Sequence, residues 1–134
     1  MTLKLNAHLA FVVFGLSVLR QCLGQDVEIN CFETGQVGSC SSFVTTFCGY
    51  TVNNAISPSN SLSACFNNGD FSCAFTAFNT NTGDVASIPS TVGCEEILDG
   101  VGVLCPMGGQ GQFEGPNYLF TAHPTVGSCT TDST

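Results

Sequence analysis

The sequence predicts a disulfide-stabilised α+β domain: an antiparallel sheet of about five strands with two packed helices, in the order β-α-β-β-α-β-β. Three observations lead there. Segments whose apolar residues alternate with a period of two are interleaved with two segments of helical period. An Asn68-Gly69 pair stands between two of the alternating segments, where a two-residue hairpin turn belongs. Eight cysteines, an even set, lie beyond a short N-terminal leader.

Residues 1–24 read as that leader, a secretory signal peptide: Lys4 and His8 open it, Leu9 to Leu19 is apolar or small, and Cys22-Leu23-Gly24 offers small residues for cleavage. The apolar run is too short to span a bilayer, so no membrane insertion is expected. Residues 25–134 then form a single secreted, extracellular domain. Val27, Ile29 and Cys31 alternate with polar neighbours and predict the first strand. Cys40, Phe43, Val44, Phe47, Cys48 and Thr51 share one stripe of a helix with Ser39 as its N-cap. Eight residues of helix separate Cys40 from Cys48 by about 12 Å, so they do not bond to each other, and each is expected to tie the helix to a strand or tail.

The hairpin follows. Pairing Asn67 with Asp70 sets Phe66 opposite Phe71 and places Leu62, Ala64, Phe66, Phe71, Cys73, Phe75 and Ala77 on a core face, with Cys65 on the other, unable to reach Cys73. Residues 79–89 are a polar loop. A second helix opens at Ser90 or Thr91 and carries Cys94, Ile97, Leu98, Val101, Leu104 and Cys105 at helical spacing, weakened by Gly100 and Gly102 and ended by Pro106. Gly108 to Gly111 reads as a flexible connection. Gln112 to Glu114 and Asn117 to His123 predict two more strands separated by Gly115-Pro116, and Cys129 is expected to pin the tail through a disulfide. For the full set, Cys31, Cys40, Cys48, Cys65, Cys73, Cys94, Cys105 and Cys129, sequence does not choose the pairing.

Charge narrows the function. The chain has 2 Lys+Arg, Lys4 and Arg20, both in the leader, against 10 Asp+Glu, all beyond it. Nucleic acid is excluded as a partner, because phosphate binding draws on cationic side chains. Sulfated, sialylated and phosphorylated ligands are disfavoured for the same reason. Neutral ligands, cations and proteins remain.

Catalytic chemistry finds few residues. His123 is the one histidine beyond the leader, and no G-x-S-x-G turn marks a nucleophile. Glu95 and Glu96 are neighbours on a helix and do not face each other across a substrate as glycosidase carboxylates do; a place near the helix start explains them better. The cysteine spacing fits no zinc site, and no calcium loop appears. The reading is therefore a non-enzymatic protein with no metal and no cofactor. Sugar chemistry fares better, since neutral sugars are held by planar amides and carboxylates that fork onto vicinal hydroxyls beside an aromatic ring. Ring and amide occur together at Tyr50 with Asn53 and Asn54, and at Asn117 with Tyr118; Asp70 and His123 stand behind them as further candidates.

The start Gln25-Asp26-Val27-Glu28-Ile29-Asn30-Cys31, the eight cysteines, the lack of Lys and Arg beyond the leader and the helix opening Gly38-Ser39-Cys40-Ser41-Ser42-Phe43 resemble the small secreted cysteine-rich glycan-binding proteins of mushrooms. The element order is similar to the fungal killer-toxin-like αβ sandwich. The resemblance implies a lectin without enzymatic activity for neutral N-acetylhexosamine-containing glycans, acting in defence. It also implies a homodimer whose edge strands join into one continuous sheet, with a pocket near that interface; such a dimer protects edges on which no lysine stands guard. The alternative is a secreted cysteine-rich effector or killer-toxin-like protein acting on a protein target, because fold alone does not fix function.

Overall fold

A computed structural model describes residues 26–113 and 117–130. The expected leader, Glu114 and the Gly115-Pro116 break lie outside the described residues. The elements are β1 (Val27–Cys31), a 3-10 turn (Ser41–Phe43), α1 (Val44–Thr51), β2 (Ser61–Asn68), β3 (Phe71–Asn79), α2 (Thr91–Leu104), β4 (Gly109–Phe113) and β5 (Tyr118–Val126). They follow the predicted order. The five strands make one sheet, β1-β4-β5-β3-β2, with every neighbouring pair antiparallel. Among the described residues no helix is long and apolar enough to cross a membrane.

Both helices cover the same face. Val44, Phe47 and Cys48 of α1 and Ile97, Leu98 and Val101 of α2 are buried with Phe75, Ala77, Phe120 and Ala122 of the central strands. The Phe47 and Phe75 rings stack with centroids 5.1 Å apart. Burying a side chain of that size contributes about 1.5–3 kcal/mol. Gly100 of α2 faces β1 so closely that a Cβ would lie 2.6 Å from Ile29 Cδ1, and one on Gly111 of β4 would lie 2.7 Å from Ile97 Cγ2. Gly100, which lowers helix propensity, is thus what lets the helix settle on the sheet. Leu104 departs from the expected stripe and is 62% exposed, because the helix ends there and Cys105 turns inward instead.

Four disulfides crosslink the described residues: Cys31–Cys105, Cys40–Cys73, Cys48–Cys94 and Cys65–Cys129. Cys40 holds the approach to α1 against a strand, as expected, whereas Cys48 joins the two helices rather than a strand or tail. Cys65 and Cys73 point to opposite faces and pair elsewhere, and Cys129 pins the tail.

Three local readings are corrected. The hairpin pairs Asn68 with Phe71 and Phe66 with Cys73, two residues from the expected register. Gly69, at φ 66°, is the first turn residue and the only one of the pair at positive φ, the II′ arrangement that suits the strand twist. A shift of two leaves every side chain on its expected face. Ser39 does not cap α1: its hydroxyl goes to Ser41 Oγ at 3.4 Å, and the chain enters through the 3-10 turn. Ser90 does cap α2, accepting from Gly93 N at 3.3 Å, and Glu95 and Glu96 lie beyond its first turn. The glycine-rich connection is strand from Gly109 onward, where a small residue admits the Cys105 sulfur at 3.0 Å from where its Cβ would be.

Candidate functional site

With both helices on one side, strand alternation turns the other set of side chains outward. Register lines them up. Asn30 of β1 pairs with Gln110 of β4, Gln110 with Thr121 of β5, Thr121 with Thr76 of β3, and Thr76 with Ser63 of β2. A row of amides and hydroxyls therefore crosses all five strands. The middle members are half-buried by their sheet neighbours, and Asn30 and Ser63 at the two ends are exposed. Two residues along the strands, Phe78 and Leu119 pair with each other and form an apolar strip beside the row.

Local hydrogen bonds orient this face. Ser63 Oγ and Thr76 Oγ1 are 2.9 Å apart and share a hydrogen bond. Glu28 accepts from Asn30 Nδ2 at 3.1 Å and from Gln112 Nε2 at 3.4 Å, which turns the two amide oxygens away from the carboxylate. At the far end Ser72 Oγ and Thr125 Oγ1 are 2.9 Å apart, and the tail reaches the face where Cys129 N donates to Asn67 Oδ1 at 2.7 Å. Glu28 is the one carboxylate the described strands carry, and residues 26–130 include no Lys or Arg. Such a surface donates and accepts hydrogen bonds to uncharged groups and offers no counter-charge to an anion. Glu95 and Glu96 belong to α2 in the other layer and face no carboxylate across this surface.

The residues singled out from sequence are dispersed. Tyr50 is 45% exposed on α1, while Asn53 Nδ2 donates to Gly49 O at 2.9 Å and Asn54 Nδ2 to Tyr50 O at 2.8 Å, where they satisfy the last carbonyls of that helix. Tyr118 is 8% exposed, its hydroxyl donating to Ser87 O at 2.7 Å beside Ser87 Oγ at 2.7 Å. Asn117 is exposed, and its carbonyl accepts from Thr80 N at 2.8 Å. Asp70 is exposed at the hairpin tip. His123 alone lies on the open face, edge-on to Phe32 with ring centroids 5.2 Å apart.

The polar row itself escaped sequence reasoning, which tracked the apolar half of each alternation. Its signal was present: Ser61 and Ser63, Ser72 and Thr76, Gln110 and Gln112, Thr121 and Thr125 recur with the strand period. Only the strand order shows that they form one row. A second surface feature is a shallow apolar groove lined by Val37, Gly38, Ser39, Gly102, Val103 and Pro106, in which Ser39 is the one polar side chain.

The family model described as "Glycan binding domain Y3" matches residues 39–129, a span that holds the four C-terminal strands and both helices but not β1. The chain is also 34% identical over 98 residues to "Antiviral protein CAP" of Coprinus comatus, an alignment covering 72% of this chain and 96% of that protein.

Proposed function

Because the chain belongs to the Y3 family of glycan-binding domains, we propose that it is a secreted, non-enzymatic fungal lectin that recognises neutral N-acetylhexosamine-containing glycans through the open face of its sheet. The observation that carries this reading is the cation-free row from Asn30 to Ser63 with the Phe78–Leu119 strip beside it. An amide or hydroxyl row gains hydrogen bonds from sugar hydroxyls and acetamido groups, and an apolar strip suits the C–H face of a pyranose. Four disulfides in so small a domain accord with export. The name of the Coprinus comatus relative, an antiviral protein, supports a defensive role. Two copies join through edge strands: β1 and β2 leave unpaired backbone groups at the two ends of the sheet, and neither carries a lysine to deter a partner.

One observation favours the second reading, an effector that acts on a protein target. Val37 and Val103 of the apolar groove are 63% and 83% exposed, the kind of patch that protein partners cover.

The deciding test is a binding screen of the oxidised mature protein on neutral, sialylated and sulfated glycans. The expected result is retention on a few neutral N-acetylhexosamine structures, unchanged by high salt because no cation takes part. A blank array from folded protein would sink the lectin reading and leave the apolar groove as the functional surface.

A further inference from the structure

Resting on the lectin reading, we propose that the row from Asn30 to Ser63 is an extended track holding several consecutive residues of one linear neutral glycan laid across the strands, and not a pocket for a single terminal sugar. The row is long. Five neighbouring strands with a member of the row on each give four intervals of about 4.8 Å, roughly 19 Å in all, which is longer than one pyranose ring.

The row runs to both edge strands of the sheet, where Asn30 and Ser63 are exposed. A single-sugar site encloses its ligand on several sides, whereas this face supports one from below along its whole width.

Polar and apolar side chains also run side by side. Phe78 and Leu119 lie one alternation step from Thr76 and Thr121, about 6.8 Å along the strands, so an apolar strip runs beside the middle of the polar row. A sugar chain has the same division, with C–H faces and hydroxyl edges repeated from unit to unit.

The two ends differ, which gives the track a direction. At the β1 end Glu28 fixes the Asn30 and Gln112 amides and keeps acceptor capacity on each carboxylate oxygen, so this end takes hydroxyl and N–H donors and repels anionic sugars. At the β2 end the Ser63–Thr76 hydroxyl pair donates or accepts as the ligand requires. The ligand class that fits is an uncharged, linear oligosaccharide.

The test titrates the mature protein by calorimetry with β1,4-linked N-acetylglucosamine from monomer to hexamer, and with the strongest neutral array hit trimmed one residue at a time. Affinity should climb with length in at least one series and level off once the chain crosses the sheet. Asn30→Ala and Ser63→Ala, both at exposed edge positions, should each weaken the longest ligand about two- to ten-fold and leave the shortest unchanged, since each removes one neutral hydrogen bond at the far end of the track. A protein that binds glycans with the same affinity at every length, or whose two end variants bind long chains as the parent does, overturns the track and leaves the lectin intact. Folded protein that binds neither series nor the array overturns the lectin reading and the track with it.

Discussion

Replacing Tyr118 by Phe separates a ligand-facing ring from a structural one. The ring is 8% exposed, and its hydroxyl lies 2.7 Å from both the carbonyl and the hydroxyl of Ser87. Ser87 belongs to the loop between β3 and α2, where it forms a short antiparallel bridge with Ile56. Removing the hydroxyl orphans neither partner: Ser87 O still accepts from Ile56 N at 2.8 Å, and Ser87 Oγ still lies 3.3 Å from Asn79 Nδ2. The loss is therefore the net worth of the bonds made, about 1–2 kcal/mol, without the larger penalty for a stranded buried group. In a domain of this size that lowers Tm by roughly 5–10 °C. Thermal unfolding followed by circular dichroism reads the stability, and calorimetric titration with a bound glycan reads the site. The expected outcome is a lowered Tm with unchanged affinity. An unchanged Tm with lost binding would refute the reasoning and return the site to Asn117 and Tyr118.

Two further changes probe the scaffold. Replacing Cys48 and Cys94 together by Ala opens a crosslink between residues 46 apart in sequence, both fully buried, and should cost about 4 kcal/mol from chain entropy, read as a lowered denaturant midpoint with the other three disulfides intact. An unmoved midpoint would mean that helix packing alone holds α1 to α2. Gly111→Ala sets a methyl 2.7 Å from Ile97 Cγ2 and 3.0 Å from Glu28 O, and the resulting overpacking should cost about 1–3 kcal/mol in the same assay. A neutral result would show that α2 can lift from β4 at no cost.

Much of this fold was legible from periodicity because most elements agree with their local pattern. The α1 stripe from Cys40 to Thr51 is buried nearly as drawn, and the hairpin faces survive a register error because that error was an even number of residues. Strand order was not legible. β5 threads between β4 and β3, and no local pattern announces that Gln110 and Thr76 meet Thr121 from opposite sides. The candidate site depends on that order, so sequence reasoning turned to places where ring and amide are adjacent in the chain. Two of those amides proved to be engaged locally: Asn53 Nδ2 donates to Gly49 O and Asn54 Nδ2 to Tyr50 O, where they finish a helix. Asparagine competes well for nearby backbone groups, so adjacency in sequence is a poor guide to what it offers a ligand.

The crosslinks explain how one face of so small a sheet stays free. Cys31–Cys105, Cys40–Cys73 and Cys48–Cys94 all lie on the helical side, and Cys65–Cys129 alone reaches the open face, at its end. A domain of this size gains limited stability from its core, and covering both faces of the sheet would require more chain. Concentrating three disulfides on the helical side, one between the helices and two from segments flanking them to strands, lets one face carry the packing while the other keeps its hydroxyls and amides exposed. The charge distribution serves the same division. Acids without any Lys or Arg from residue 26 onward repel one another, yet the strands place only Glu28 near the polar row. The strands of the open face thus carry a single carboxylate and no cation within an acidic molecule, and that combination favours uncharged hydroxyl-rich ligands while the surrounding field turns anionic ones away.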